Sequence, residues 1–327
     1  MNVSRLDRIA TCALAAALLV PAGAAVAQRP YPDKPIRLVL PFPPGGGTDA
    51  LARALAPKLT ERMGQTLVVD NRAGAAGNIS SEIVSRAAAD GYTLLFTFAN
   101  MLTVNPLLYK LPFDVGRDFA PITQLGTAQF FLVVHPSVPA RSVKELIALA
   151  REKPGQLNYA SSGPGAPLHL AAELFKQRAG VDIVHVPYKG GGPAAAAVLG
   201  GEAQILFGSV ASTMPQVKAG KLRALATTGG KRSALMPELP TIAESGFPGY
   251  DVSGWDGVLA PAGTPRVIIV RLHHEFVAAL QIPDTREFFN RVGYEVTGTT
   301  PEELAQIIRK ETAMWEKVIK SSGIRVE

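Results

Sequence analysis

From Ile36 onward, short apolar runs alternate with longer amphipathic stretches. That alternation restricts the chain to an α/β fold with a parallel sheet covered on both faces. The pattern predicts a strand over Ile36–Leu40, a loop over 41–48 and a helix over 49–63 that Gly64 closes. A strand over 67–70, a helix over 79–89 and a strand over 93–96 follow. Ser142 and Glu145 form a capping box for a helix over 143–152. Strands over 157–161 and 183–186 flank a helix over 168–179, and residues 193–199, 204–207 and 222–227 continue the alternation. Near the end, Ile269, Leu272, Phe276 and Leu280 make one apolar helix face. Thr300-Pro301-Glu302-Glu303 opens a last helix with a cap, an N1 proline and acidic first-turn residues.

Two stretches break the alternation. Phe119–Val134 is extended with no helix between its halves, and residues 250–260 set Trp255 and Asp256 among glycines and β-formers. A chain that leaves one domain, builds another and returns crosses twice, and two crossings make a hinge with a cleft between lobes. The expected partition is residues 28–124 and 254–327 in lobe 1 and residues 125–253 in lobe 2.

Residues 1–27 are expected to be a signal peptide. Arg5 and Arg8 precede an apolar run from Ile9 to Val20, and Ala25-Val26-Ala27 supplies the small residues a signal peptidase reads. Such a run, at roughly 1.5 Å per residue, is too short to cross a hydrocarbon layer of about 30 Å. Its removal would leave the mature chain exported from the cytoplasm. It would also leave 300 residues, enough for two domains, with a formal charge of +5 in place of +6. The single cysteine, Cys12, leaves with the signal, so the mature chain has no disulfide, thiol nucleophile or cysteine metal site. Adjacent basic residues are scarce in the mature chain, with Lys231-Arg232 and Arg309-Lys310 the two pairs, which argues against nucleic acid. A thinly spread positive surplus suits the attraction of small anions.

Three glycine-rich loops each join a predicted strand to a predicted helix. They are Pro43-Pro44-Gly45-Gly46-Gly47-Thr48-Asp49, Ser161-Ser162-Gly163-Pro164-Gly165-Ala166-Pro167 and Pro187-Tyr188-Lys189-Gly190-Gly191-Gly192-Pro193. In an open parallel sheet such loops emerge at the carboxyl ends of strands, where ligands bind. Glycines let backbone N–H groups approach an oxyanion, and a helix start adds unpaired donors and the positive end of a dipole. None of the loops matches G-x-G-x-x-G or continues into Gly-Lys-Ser/Thr, so nucleotide binding is unsupported.

Asp49 either accepts hydrogen bonds from a ligand hydroxyl or caps its own helix. His169 opens a helix beside the second loop, in contact with ligand or in a structural role. Tyr188 and Lys189 could reach the cleft, although Lys189 is equally a solvated loop residue. Trp255 lines the hinge and pocket or belongs to the core. Catalytic constellations are thin. His273 and His274 are adjacent rather than spaced as a ligand pair, and neither His-Glu-x-x-His nor Gly-x-Ser-x-Gly occurs. No enzyme, metal site or cofactor is expected.

The stretch Leu40-Pro41-Phe42-Pro43-Pro44-Gly45-Gly46-Gly47-Thr48-Asp49 followed by Arg53 resembles the opening motif of the Bug proteins. These are the extracytoplasmic solute receptors of tripartite tricarboxylate transporters. Ser161–Gly165 with His169-Leu170, His185–Gly191 and Ala260–Pro265 fit the same family. The resemblance implies a two-lobed periplasmic-binding-protein fold of type II-like, Venus-flytrap form. It implies a monomeric receptor that holds a small organic carboxylate and hands it to the integral membrane components of the transporter. The carboxylate would be held by the first two loops, here the residues around Gly46–Asp49 and Ser161–Gly165. The full set expected to bind ligand is Pro43, Gly45, Gly46, Thr48, Asp49, Ser161, Ser162, Gly163, Gly165, His169, Tyr188, Lys189, Gly190, Phe207 and Trp255. Ala166 stands where many relatives carry Ser, and Gly208 where a number carry Asp. The second departure leaves less for an ammonium group and points to a simple or aromatic carboxylate rather than an amino acid.

Overall fold

A computed structural model describes residues 31–45, 47–188 and 190–324. The expected signal peptide, Gly46 and Lys189 lie outside the described residues.

Among the described residues, ten strands form one hydrogen-bonded sheet: β1 Ile36–Leu40, β2 Leu67–Asn71, β3 Thr93–Phe98, β4 Phe119–Val134, β5 Asn158–Ser161, β6 Val184–Pro187, β7 Ile205–Ser209, β8 Arg223–Thr227, β9 Ser253–Pro261 and β10 Tyr294–Val296. Their order is β2-β1-β3-β9-β4-β7-β5-β6, with β8 and β10 also on β4. β1 runs parallel to β2 and β3, and β5 runs parallel to β6 and β7. The two extended stretches become β4 and β9, antiparallel to their neighbours because they carry the chain out and back. β4 changes partners midway. Phe119–Gln129 pairs with β9, whereas Phe130–Val134 pairs with β7, and residues 131–134 also pair with β8.

Each half of the sheet buries both faces. On the β1–β3 side, Leu38, Leu55, Phe96 and Phe276 pack in one core, and Val39, Leu95 and Trp255 pack in another on the opposite face. On the β5–β7 side, Tyr159, Phe175 and Phe207 fill one core, and Phe131, Val198 and Leu206 fill its counterpart. This produces the two-lobed α/β fold of periplasmic binding proteins. The final helix, Pro301–Ser322, opens with the expected capping box, in which Thr300 and Glu303 satisfy each other's backbone N–H groups. At 22 residues it is about 33 Å long. Its Leu304 and Ile308 enter the core of Trp255, while Trp315, Val318 and Ile319 enter that of Phe175, so one rigid element packs on both halves. Among the described residues no helix is long and apolar enough to cross a membrane.

Candidate functional site

The carboxyl ends of β1, β2 and β3 face those of β5, β6 and β7 across a cleft of about 1100 Å³. Seven segments supply its walls. Residues 41–45 and 47–48 follow β1, a turn at residues 73–77 follows β2, residues 98–109 follow β3, and Tyr294 lies on β10. From the opposite side come the loop after β5, Gly190-Gly191 after β6, and Ser209 at the end of β7. Among the described residues lining this cleft, none carries a charged side chain.

Helix starts supply the polarity instead. Helices Gly47–Met63, Asn78–Ser85, Pro167–Ala179 and Gly191–Leu199 all begin at the cleft. The last three begin at Gly77, Ala166 and Gly190 without any side-chain cap. Helix Val210–Lys218, which starts at the cleft-lining Ser209, is capped by that side chain, as are the helices opened by Ser142 and Thr300 away from the cleft. The first N–H groups of a helix have no partner within it, so uncapped starts leave donors and the positive dipole end for a guest.

The turn after β2 was missed from sequence, although Gly74-Ala75-Ala76-Gly77 joins a strand to a helix as the other loops do. Ala75 and Ala76 hold φ of 45° and 54°, which costs non-glycine residues energy. Asn105 steadies the turn by donating from Nδ2 to the Ala76 carbonyl at 2.9 Å and to Asn78 Oδ1 at 2.7 Å. Gly77 has φ 88°, and a Cβ there would lie 2.8 Å from Met101 Cε. Sequence reading also missed Phe98, Asn100, Met101, Asn105, Leu108 and Tyr109. Asn100, Met101, Asn105 and Leu108 sit on very short helices, Ala99–Thr103 and Asn105–Leu108, which are too brief to show a helical period, and Phe98 and Tyr109 flank them.

Of the residues expected to bind ligand, Pro43, Gly45, Thr48, Ser162, Gly165 and Gly190 line the cleft. Asp49 stands behind it instead. It is 3% exposed, and its carboxylate accepts from the Gly45 N–H at 2.9 Å, Asn71 Nδ2 at 3.0 Å and Arg53 Nε at 2.9 Å. Burial would raise its pKa, but the bonds from Arg53, Gly45 and Asn71 outweigh burial and hold the carboxyl below its ordinary value.

The second loop rests on a buried cluster. Ser161 is fully buried, and its Oγ accepts from the Gly163 N–H at 3.1 Å and lies 2.6 Å from His185 Nε2. His169 Nδ1 accepts the Gly165 N–H at 2.9 Å. The His169 and His185 rings stack at 4.0 Å, and the Tyr159 ring stacks 4.9 Å from His185. Burial, reinforced by His185, pushes His169 down to about 4. The ring is therefore neutral at neutral pH, which leaves Nδ1 free to accept. Glu173, on the same helix, takes Tyr159 Oη at 2.5 Å and Lys176 Nζ at 3.0 Å. Ser161, Gly163 and His169 thus brace this loop from behind.

Three further residues expected at the cleft are elsewhere. The Tyr188 hydroxyl donates to Glu202, and its backbone N–H ties the third loop to the second through the Ser161 carbonyl at 3.0 Å. Phe207 is fully buried against Phe175, because alternation along β7 turns it into the core. Trp255 lies in the core between β9 and the final helix and donates from Nε1 to the Glu311 carboxylate at 2.9 Å. Gly208 is also away from the cleft. A Cβ there would sit 2.3 Å from Thr213 Cγ2.

Asp256, the residue after Trp255, is fully buried behind the first loop. Thr48 Oγ1 donates to its Oδ1 at 2.8 Å, and Tyr294 Oη donates to its Oδ2 at 2.7 Å. Burial pushes Asp256 up to about 6 against the opposing effect of the two hydroxyl bonds. Both Thr48 and Tyr294 line the cleft.

Residues 51–324 match the family model described as tripartite tricarboxylate transporter family receptor. The chain is 36% identical over 329 residues to protein BugT of Bordetella pertussis (strain Tohama I), covering 100% of both chains. The structure of R. palustris Rpa4515 with adipate is similar at TM-score 0.79 and 38% identity, over 90% of this chain and 99% of that one. MatC (Rpa3494) from Rhodopseudomonas palustris with bound malate is similar at TM-score 0.75 and 29% identity, over 88% and 100%. With a family match that spans most of the sequence and a full-length Bug relative, the chain belongs to the periplasmic solute-binding receptors of the tripartite tricarboxylate transporter family.

Proposed function

We propose that this protein captures a small organic carboxylate between its lobes and delivers it to the membrane components of a tripartite tricarboxylate-type transporter. One observation carries the reading. A cleft whose described lining is free of charged side chains is ringed by uncapped helix starts contributed from both sides. Such a surface favours an anion without a salt bridge, each helix start contributing about 0.3–1 kcal/mol and more when partly buried. A carboxylate loses water on entering, at a cost of several kcal/mol, and needs that many donors in return. Phe98, Met101 and Leu108 add an apolar wall suited to a short methylene chain. The adipate and malate held by the two R. palustris relatives have this chemistry.

A cleft of about 1100 Å³ exceeds what one small acid fills, which favours closure of the lobes about the β4 and β9 crossings upon binding. On this reading the lobes divide near residues 125 and 253, the chain reaches the periplasm through cleavage after residue 27, and it acts as a monomer without catalysis. The test is calorimetry and thermal unfolding with adipate, malate, succinate, nicotinate and benzoate, with the matching amines as controls. At about 100 times the dissociation constant a true ligand adds roughly 2.7 kcal/mol of stability. A protein that binds none of these acids, or binds the amines instead, rules the reading out. Delivery is tested by capture of the membrane components on immobilised, ligand-loaded protein.

A further inference from the structure

The Asp256 carboxyl is placed where a structural residue has no evident need of a charge. It sits on β9, opposite Phe98 of β3 and Gly126 of β4, and is fully shielded from water. Two hydroxyls face it, from Thr48 at the start of helix Gly47–Met63 and from Tyr294 on β10, and both residues line the cleft. The charged groups next along that helix, Asp49 and Arg53, are paired with each other. Its shift owes nothing to a neighbouring charge, since burial and the two hydroxyl bonds account for it.

A hydroxyl has one proton to give and lone pairs to receive with. An ionised Asp256 can only accept, so it commits the protons of both Thr48 and Tyr294 to itself. The cleft then meets lone pairs there, backed by a buried negative charge, and both repel a carboxylate. A protonated Asp256 donates its own proton to one of the two oxygens and releases that hydroxyl's proton toward the cleft. The proton comes from solvent and passes through the hydroxyls, which join the buried carboxyl to the open cleft.

We propose that Asp256 is a positioning residue whose protonation turns the Thr48–Tyr294 pair from acceptors into a donor, so that a carboxylate binds together with one proton. This rests on the carboxylate-binding reading above and adds its specificity. At high pH the same pair would favour a ligand hydroxyl or a protonated acid. Linkage makes affinity fall as pH rises above the titration of the free protein, by up to about tenfold per pH unit, until the titration of the bound state is reached.

The experiment is calorimetric titration between pH 5 and 8 with the same acid panel, each in two buffers of different ionisation enthalpy, on wild type, Asp256→Asn and Tyr294→Phe. Wild type should take up close to one proton per acid bound near neutral pH. Asp256→Asn, whose amide can give to one hydroxyl and accept from the other, should bind with no proton uptake and a flat pH profile. Tyr294→Phe keeps the carboxyl but removes one stabilising donor, so its inflection should move to higher pH. Binding without proton uptake in wild type, or an unchanged pH profile in Asp256→Asn or Tyr294→Phe, overturns the proposal while leaving carboxylate capture intact. Failure of every acid at every pH overturns both.

Discussion

Replacement of Asp49 by alanine separates the two roles its position in the first loop allows. The carboxylate holds the Gly45 N–H, Asn71 Nδ2 and Arg53 Nε, all within 2.9–3.0 Å. Hydrogen bonds to a charged acceptor contribute about 1.5–3 kcal/mol each. Part of this is recovered in the variant. Asn71 Nδ2 keeps its bond to the Phe42 carbonyl at 2.9 Å, and the Arg53 side chain, 52% exposed, returns to water. The ion pair itself is therefore worth only about 0–1 kcal/mol. The net expectation is a loss of about 2–4 kcal/mol at neutral pH, mostly from the Gly45 and Asn71 bonds.

The loss should depend on pH. Asp49 has a folded-state pKa below its ordinary value of 3.8, so its contribution is present above that value and disappears as pH falls through the folded one. Wild type and Asp49→Ala should differ fully at neutral pH and converge in acid. Urea unfolding followed by far-ultraviolet circular dichroism at neutral pH and near pH 3 measures both differences. Affinity for whichever acid of the panel binds, measured in parallel, should fall only as far as the loosened loop requires. A difference in stability below about 1 kcal/mol, together with abolished binding, would show Asp49 to be a ligand contact and refute the bracing role.

Three further outcomes follow from the packing. Phe207→Ala should cost about 3–5 kcal/mol in denaturant unfolding while the folded fraction keeps its affinity, because the ring fills a core and not the cleft. Gly208→Ala should cost about 1–3 kcal/mol, since its Cβ would start 2.3 Å from Thr213 Cγ2; equal stability would mean that the neighbouring helix yields freely. Burial pushes Glu311 from 4.5 up to about 7, so its contribution is present below 4.5 and lost as pH rises through about 7. Relative to Glu311→Gln, wild type should therefore lose on the order of 3 kcal/mol across that window, read from unfolding curves; a constant difference would contradict the shift.

Sequence alone determined the alternation of strands and helices, the two crossing segments, the helix caps at Ser142 and Thr300, and three loops on the carboxyl side of strands. All of these are local: periodicity, capping chemistry and glycine placement act within a few residues. It also carried the family motifs, which are contiguous.

Only the tertiary structure decided which side of each loop faces the cleft. Asp49, Ser161, Gly163 and His169 belong to the cleft-lining loops yet stand behind them, because Asp49 is held by Gly45 and Asn71, Ser161 by Gly163 and His185, and His169 by Gly165. Asp256 meets Thr48 across 208 positions and Tyr294 across 38. The final helix reads as a single amphipathic stripe, and nothing along it says that Ile308 and Trp315 enter different cores. Periodicity records that a side chain is buried, whereas its partner depends on how distant strands are ordered in the sheet.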